Sequence, residues 1–198
     1  MAVSTAPRGR RPGTPDTRAA ILAAARASFA EKGFAGTTIR GIASAAGVDA
    51  ALVHHYFGTK DDLFVAALEL PVDPRTAIAP ALAGGPDGAA ERVLRVFVGV
   101  WDDPGNTPVF VALARTLLDP SASHLMRDGF LPVVLQPVGR TLGLDDPELR
   151  MSLVASQMLG IILSRYVLEL EPIASMPAET LVATYAPTIQ RYLTGELP

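Results

Sequence analysis

The sequence contains no cysteine. That excludes a disulfide framework, a cysteine nucleophile and thiolate metal sites. Its three histidines have no metal-ligand spacing, so no metal or cofactor is expected. Aromatic residues are 6% of the chain and charged residues 19%. Long apolar runs are also missing: Arg95 interrupts 93–101, and Gln157 and Arg165 interrupt 153–168. Neither stretch reaches the roughly 18 apolar residues that a membrane span needs. Near the N-terminus, Arg8, Arg10 and Arg11 imitate a basic leader, but Pro12, Pro15, Asp16 and Arg26 break the apolar core that would follow. No secretory signal is expected. Signatures of catalysis are lacking too. The glycine-rich stretch 84–88 follows no strand and carries no lysine, and no serine sits in a nucleophile elbow. An enzyme is not expected.

What is present is ample core material. Hydrophobic residues make up 49% of the 198 residues, which excludes a disordered chain. The net charge of −3 is unevenly spread. Residues 1–62 hold eight basic and five acidic side chains, a net of +3, whereas 63–198 hold nine and fifteen, a net of −6. A basic head on an acidic body is the pattern of a nucleic-acid binder with a separate non-binding domain. Period-2 alternation, internal repeats and heptads are all missing, so the chain reads as all-α.

Residues 1–13, rich in Pro, Gly, Ser, Thr and Arg, read as a disordered basic arm. A first helix follows, with Thr14 as N-cap, Pro15 in its first turn, Leu22, Ala25 and Phe29 on one stripe, and Gly33 as its stop. A short second helix over about 38–46 carries Ile39, Ile42, Ala43 and Ala46 at amphipathic spacing and breaks at Gly47. Asp49 can cap a third helix that ends at Phe57–Gly58, with Val48 and Val53 spaced as a hydrophobic staple. Thr59 and Asp62 have capping-box form and open a fourth helix to about Leu70, where Pro71 ends it. The second and third helices meet the requirements of a helix–turn–helix: a glycine for the tight turn, an apolar anchor at Val48, and a capped recognition helix that enters a groove by its N-terminal end.

These residues carry a resemblance. Thr37-Thr38-Ile39-Arg40-Gly41-Ile42-Ala43, then Ala46-Gly47-Val48, then Tyr56-Phe57-Gly58-Thr59-Lys60-Asp61-Asp62-Leu63-Phe64, resemble the TetR family of transcriptional regulators. The first helix, 21–25 through Phe29 with Gly33-Phe34, looks like that family's as well. The resemblance covers about 17–66 and implies an all-helical dimer. Residues 14–60 would be a three-helix, helix–turn–helix DNA-binding domain, and 61–198 a helical bundle that binds a small effector and dimerises. It implies a cytoplasmic repressor of a palindromic double-stranded operator, with Thr37, Thr38, Arg40, Asp49, Ala50, Ala51, His54, His55, Tyr56 and Lys60 at the DNA. Among these, Thr38, Tyr56 and Lys60 hold phosphate, and Arg40 reads a base edge. The chain departs from the family pattern at Ala50 and Leu52, where a lysine and a threonine are common. This leaves more of the reading to Arg40, His54 and His55, with help from the arm. A helical protein–protein adaptor and a regulator controlled by a partner protein are the competing readings.

Beyond residue 70 the sequence predicts helices over about 74–82, 89–102, 107–118, 122–142, 146–170 and 177–194, with Pro132 and Pro137 kinking or splitting the fourth of these. Phe97, Trp101, Phe110, Met126, Phe130 and Tyr166, with Gln157, are the effector-cavity candidates; each is also compatible with plain core. Gln157 and Arg165 interrupt an apolar helix and read as ligand contacts, interface contacts or exposed groups. A two-fold dimer is expected from the last two long helices. The earlier one is apolar on two stripes, and the later one carries Leu181, Tyr185, Ile189 and Leu193.

Overall fold

Caps and prolines set where the helices begin and end. The computed structural model describes residues 16–117 and 125–197, and among these every regular element is helical. The arm 1–13 and the expected cap Thr14 lie outside the described residues. Helix α1 (Thr17–Gly36) is capped instead by Asp16, whose carboxylate accepts from the Arg18 N–H at 3.0 Å. Gly33 breaks it as the sequence predicts: at φ 67° and ψ 177°, a conformation glycine adopts freely, it leaves helical geometry, and a further short turn runs on to Gly36. Helices α2 (Ile39–Ala46), α3 (Ala50–Phe57) and α4 (Lys60–Ala67) carry the caps Thr38, Asp49 and Thr59, the last two as the sequence predicts. Helix α4 is shorter than expected. Pro71 has no N–H and disfavours helical backbone before it, and Glu69 already turns to φ 49°.

One core joins these four helices. Ile21, Phe29, Ile42, Val53, Leu63 and Phe64 are buried in it, and the Phe64 ring meets the edges of Phe29 and Phe34, each at 5.2 Å. Aromatic pairs in such edge-to-face contact favour a fixed packing beyond their buried area.

The body holds α5 (Pro74–Leu82), α6 (Ala89–Trp101) and α7 (Thr107–Leu117). The expected helix 122–142 is split. Its part α8 (Met126–Leu135) is wound as a π-helix around Pro132, which cannot donate the usual hydrogen bond, and α9 (Gln136–Thr141) restarts with Pro137 in its first turn. Helix α10 (Pro147–Ile161) widens to π geometry over Ile162–Val167, and α11 (Ala178–Thr194) closes the chain. A second core forms where α6, α10 and α11 meet, around Leu94, Val98, Val154, Ile161, Leu181 and Ile189. A third, smaller one holds Trp101, Phe110 and Ala114.

Long-range polar bonds lock the body. Gly88 gives α6 no side-chain cap, and Gln190 supplies one from α11, accepting from Ala90 N–H at 3.1 Å and donating to Pro86 O at 3.0 Å. Arg150, 5% exposed, pairs with Asp145 and donates to the carbonyls of Tyr192 and Gly195, fixing the end of α11. Burial also corrects the expected dimer surface. Leu181, Ile189 and Leu193 are 0–3% exposed inside the single chain, so that stripe of α11 is consumed by its own core.

Candidate nucleic-acid interface and effector cavity

The turn between α2 and α3 is closed by Gly47 at φ 68°, ψ 32°, with the Val48 N–H donating to Ala43 O at 3.0 Å. A left-handed residue here costs glycine little, and it returns the chain at the angle the second helix needs. Thr38 Oγ1 accepts from Gly41 N–H at 3.1 Å, and Asp49 Oδ1 accepts from Ala51 N–H at 2.7 Å. Val53 and Phe57 anchor α3 to the core, so Ala51, Leu52, His54, His55 and Tyr56 face outward and Ala50 is half-buried. His55 and Tyr56 touch edge to face at 5.3 Å. His54 Nδ1 lies 2.8 Å from Gly58 O. A carbonyl only accepts, so Nδ1 carries the proton and Nε2 is left to the outside.

Arg40 is exposed and, among the described residues, has no hydrogen-bond or ion-pair partner. It is a charged fork held ready on a short helix. Lys60 differs: its ammonium sits 4.3 Å from the centre of the Phe34 ring, and partial burial lowers its pKa against the opposing charge of Asp61. Below it, Thr59 and Asp62 close a capping box, and Arg75 of α5 reaches Asp62 at 2.9 Å. The Thr59 hydroxyl, ahead of Arg75, holds the Asp62 carboxyl below its ordinary pKa despite some burial.

One expected DNA contact is corrected. Thr37 is 2% exposed; its hydroxyl donates to Gly33 O at 2.7 Å and Ser28 O at 3.0 Å, and its N–H is turned to Phe34 O. It satisfies carbonyls at the kink of α1 and has nothing to offer a phosphate. Arg8, Arg10 and Arg11 lie outside the described residues.

An apolar cavity of about 250 Å³ lies among α5, α6, α7, α8 and α10. Phe97, Trp101, Phe110, Met126 and Phe130 line it, with Trp101 stacked on Phe110 at 5.0 Å. Two other candidates stay outside its walls. Tyr166 packs behind Trp101 at 5.0 Å and donates its hydroxyl to Asp102 at 2.9 Å, and Gln157 is half-buried one residue before the lining Met158. Arg165 is neither ligand contact nor free: it donates to Asp102 and to the carbonyls of Ile173, Ala174 and Met176. Sequence reasoning missed Leu70, Val72 and Ile78 on the wall. Aliphatic residues line every core, and nothing in their spacing singles these out.

Helix α8 belongs to both regions. Met126, Phe130 and Val134 face the cavity, Val133 and Val134 join the first core, and a Cβ on Gly129 would lie 2.5 Å from Phe64 Cζ of α4.

An all-α chain with a capped helix–turn–helix at its N-terminal end and a helical body behind it defines the helix–turn–helix class of transcriptional regulators. The family model for bacterial regulatory proteins of the tetR family matches residues 21–67, and that for the tetracyclin repressor-like C-terminal domain matches residues 87–193, more than half of the chain. The dual regulator CecR of Shigella flexneri is 32% identical over 165 residues, covering 73% of each chain. The chain belongs to the TetR family. It is also similar to the transcriptional repressor Rv3405c of Mycobacterium tuberculosis, at 49% identity over 57 residues, which is 29% of this chain and 30% of that protein. A TetR-family regulator of Streptomyces coelicolor is 42% identical over 93% of this chain and 98% of its own, with a TM-score of 0.48.

Proposed function

We propose that this protein is a dimeric transcriptional repressor of the cytoplasm that binds a palindromic operator and is released by a small molecule held in the apolar cavity. No chemistry of its own is assigned to it. The reading head is 14–60, the effector-binding and dimerising body is 61–198, and α4 is the element they share. The observation that carries the reading is the outward face of α2 and α3. It presents a guanidinium at Arg40 that has no partner among the described residues, two imidazoles and the Tyr56 ring at the end of a capped helix of major-groove size. Thr38, Asp49, Ala50, Ala51, His54, His55, Tyr56 and Lys60 remain the DNA-facing set, with Arg40 as base reader.

Release follows from shared packing. A molecule that displaces Phe130 or Met126 moves α8, and α8 bears on Phe64 through Gly129. Coupling of this kind is typically about 1–3 kcal/mol and is reciprocal. The test is binding of the full chain to duplexes tiled across the DNA flanking its own gene, read by anisotropy over a range of salt. One inverted repeat is expected to bind tightly, with affinity falling steeply as salt rises. An effector found by screening against that complex should lose affinity for the protein by the factor it imposes on DNA. Retention that ignores salt and sequence would favour the adaptor, and an effector bound equally well with and without operator would sink the release mechanism.

A further inference from the structure

Among the described residues the side chains that line the cavity are aliphatic, aromatic or thioether, from Val72 ahead of α5 and Ile78 on it to Leu163 beyond α10, and the indole N–H of Trp101 is the one polar side-chain group among them. The polar groups behind Trp101 are turned to one another. Arg165 and Tyr166 both donate to Asp102, and Nη1 of Arg165 donates to backbone carbonyls. Among the described residues no buried side-chain nitrogen or oxygen lacks a hydrogen-bond partner. Among the described residues that line the cavity no side chain carries a charge. An ionised group drawn into such a space loses its water and gains no counter-charge, which is far more costly than burying hydrocarbon.

From this we infer that the effector is an uncharged aromatic or alicyclic molecule, without a carboxylate, phosphate, sulfonate or ammonium in its buried part. The inference rests on the cavity being the effector site. Its volume, about 250 Å³, lies just below the usual range for sites of drug-sized ligands and suits two or three rings. Trp101 and Phe110, stacked at one end, offer ring faces for a planar partner, and Met126 and Met158 can reshape around it.

A matched pair of dyes tests the class directly. N-phenyl-1-naphthylamine and 8-anilino-1-naphthalenesulfonate share one skeleton and differ by a sulfonate set between the rings, where it cannot reach solvent once both rings are buried. Both accept energy from indole, and Trp101 is the chain's single tryptophan. The full-length protein is titrated with each dye while Trp101 emission is followed, and the titrations are repeated with Ala77→Phe, which fills the cavity from α5. The expected result is saturable quenching by the neutral dye, at least about a hundredfold weaker binding of the sulfonate, and loss of the neutral dye's site in Ala77→Phe. Equal affinity for both dyes, with both lost in Ala77→Phe, would overturn the neutral class and leave the cavity as the site. Binding of the neutral dye that Ala77→Phe leaves unchanged, or no binding of either dye, would overturn the class and the cavity together.

Discussion

Arg40 and Lys60 carry the same charge in different settings, and the settings predict different losses. Arg40 has no partner within the described chain, so its guanidinium is free to take the two acceptors of a guanine edge. Lys60 is steadied over the Phe34 ring, one residue past a helix cap, and its proposed partner is a phosphate. Arg40→Ala should cost about 1–3 kcal/mol on the cognate operator and relax preference at one base pair per half-site. Lys60→Ala should weaken cognate and random duplexes alike and lower the salt slope by about one per site. Equal weakening of cognate and random DNA by Arg40→Ala would remove its base-reading role. Thr37 shows what the sequence conceals at this scale. Its place beside Thr38 in the motif suggests a DNA contact, but the kink at Gly33 leaves carbonyls that its buried hydroxyl satisfies. Thr37→Val keeps the shape and removes the donor. It should cost about 1–3 kcal/mol of stability by thermal unfolding while leaving the salt slope of DNA binding unchanged.

Helix ends were the most legible elements. Thr38, Asp49 and Thr59 act on backbone N–H groups two or three residues away, and proline acts on its own turn, so both effects are written locally. Gln190 caps α6 from a hundred residues on, and Arg150 closes α11 across more than forty. No local pattern announces such partners. The cavity was legible where large aromatic residues line it and not where Leu70, Val72 and Ile78 do. Helix α8 combines both cases: its prolines foretold a break, but its contact with Phe64 depends on tertiary packing. That contact makes a prediction. The Phe64 ring is 1% exposed and held by Phe29 and Phe34, so a methyl at position 129 forces α8 and α4 apart. Gly129→Ala should cost about 1–3 kcal/mol of stability and also weaken operator binding without any effector. Ile189→Val, an equally buried change in the second core, should lower stability alone. If Gly129→Ala left DNA affinity at the wild-type value, α8 would not be the route from cavity to head.

At the scale of the whole molecule, the dimer surface follows from what each long helix has left over. The inward stripe of α10 is occupied: Val154 and Ile161 are buried and Met158 packs beside them. Among the described residues its outward stripe is left uncovered, with Leu149 46% exposed, Ser156 and Gly160 exposed and Leu153 half-buried. The polar groups of that stripe are already satisfied, since the hydroxyls of Ser156 and Ser164 donate back to carbonyls of their own helix at 2.7 and 2.6 Å. A partner helix would meet small, self-satisfied residues and could approach closely. In the proposed dimer helix α11 would contribute its other face, because Leu181, Ile189 and Leu193 are already spent inside the chain. A stable two-fold interface buries about 800 Å² per partner, and two reading heads match two half-sites about one helical turn or more apart. Gly160 separates this arrangement from a monomer. A Cβ built there meets nothing within 4 Å, so Gly160→Arg starts in open space on the single chain yet places a charged side chain in the proposed interface. Wild type should sediment as a dimer at micromolar concentration, and Gly160→Arg as a monomer of unchanged helicity that no longer holds an inverted repeat. A wild-type monomer that still binds its operator specifically, or a Gly160→Arg dimer as tight as wild type, would show that the two-fold axis does not lie on α10.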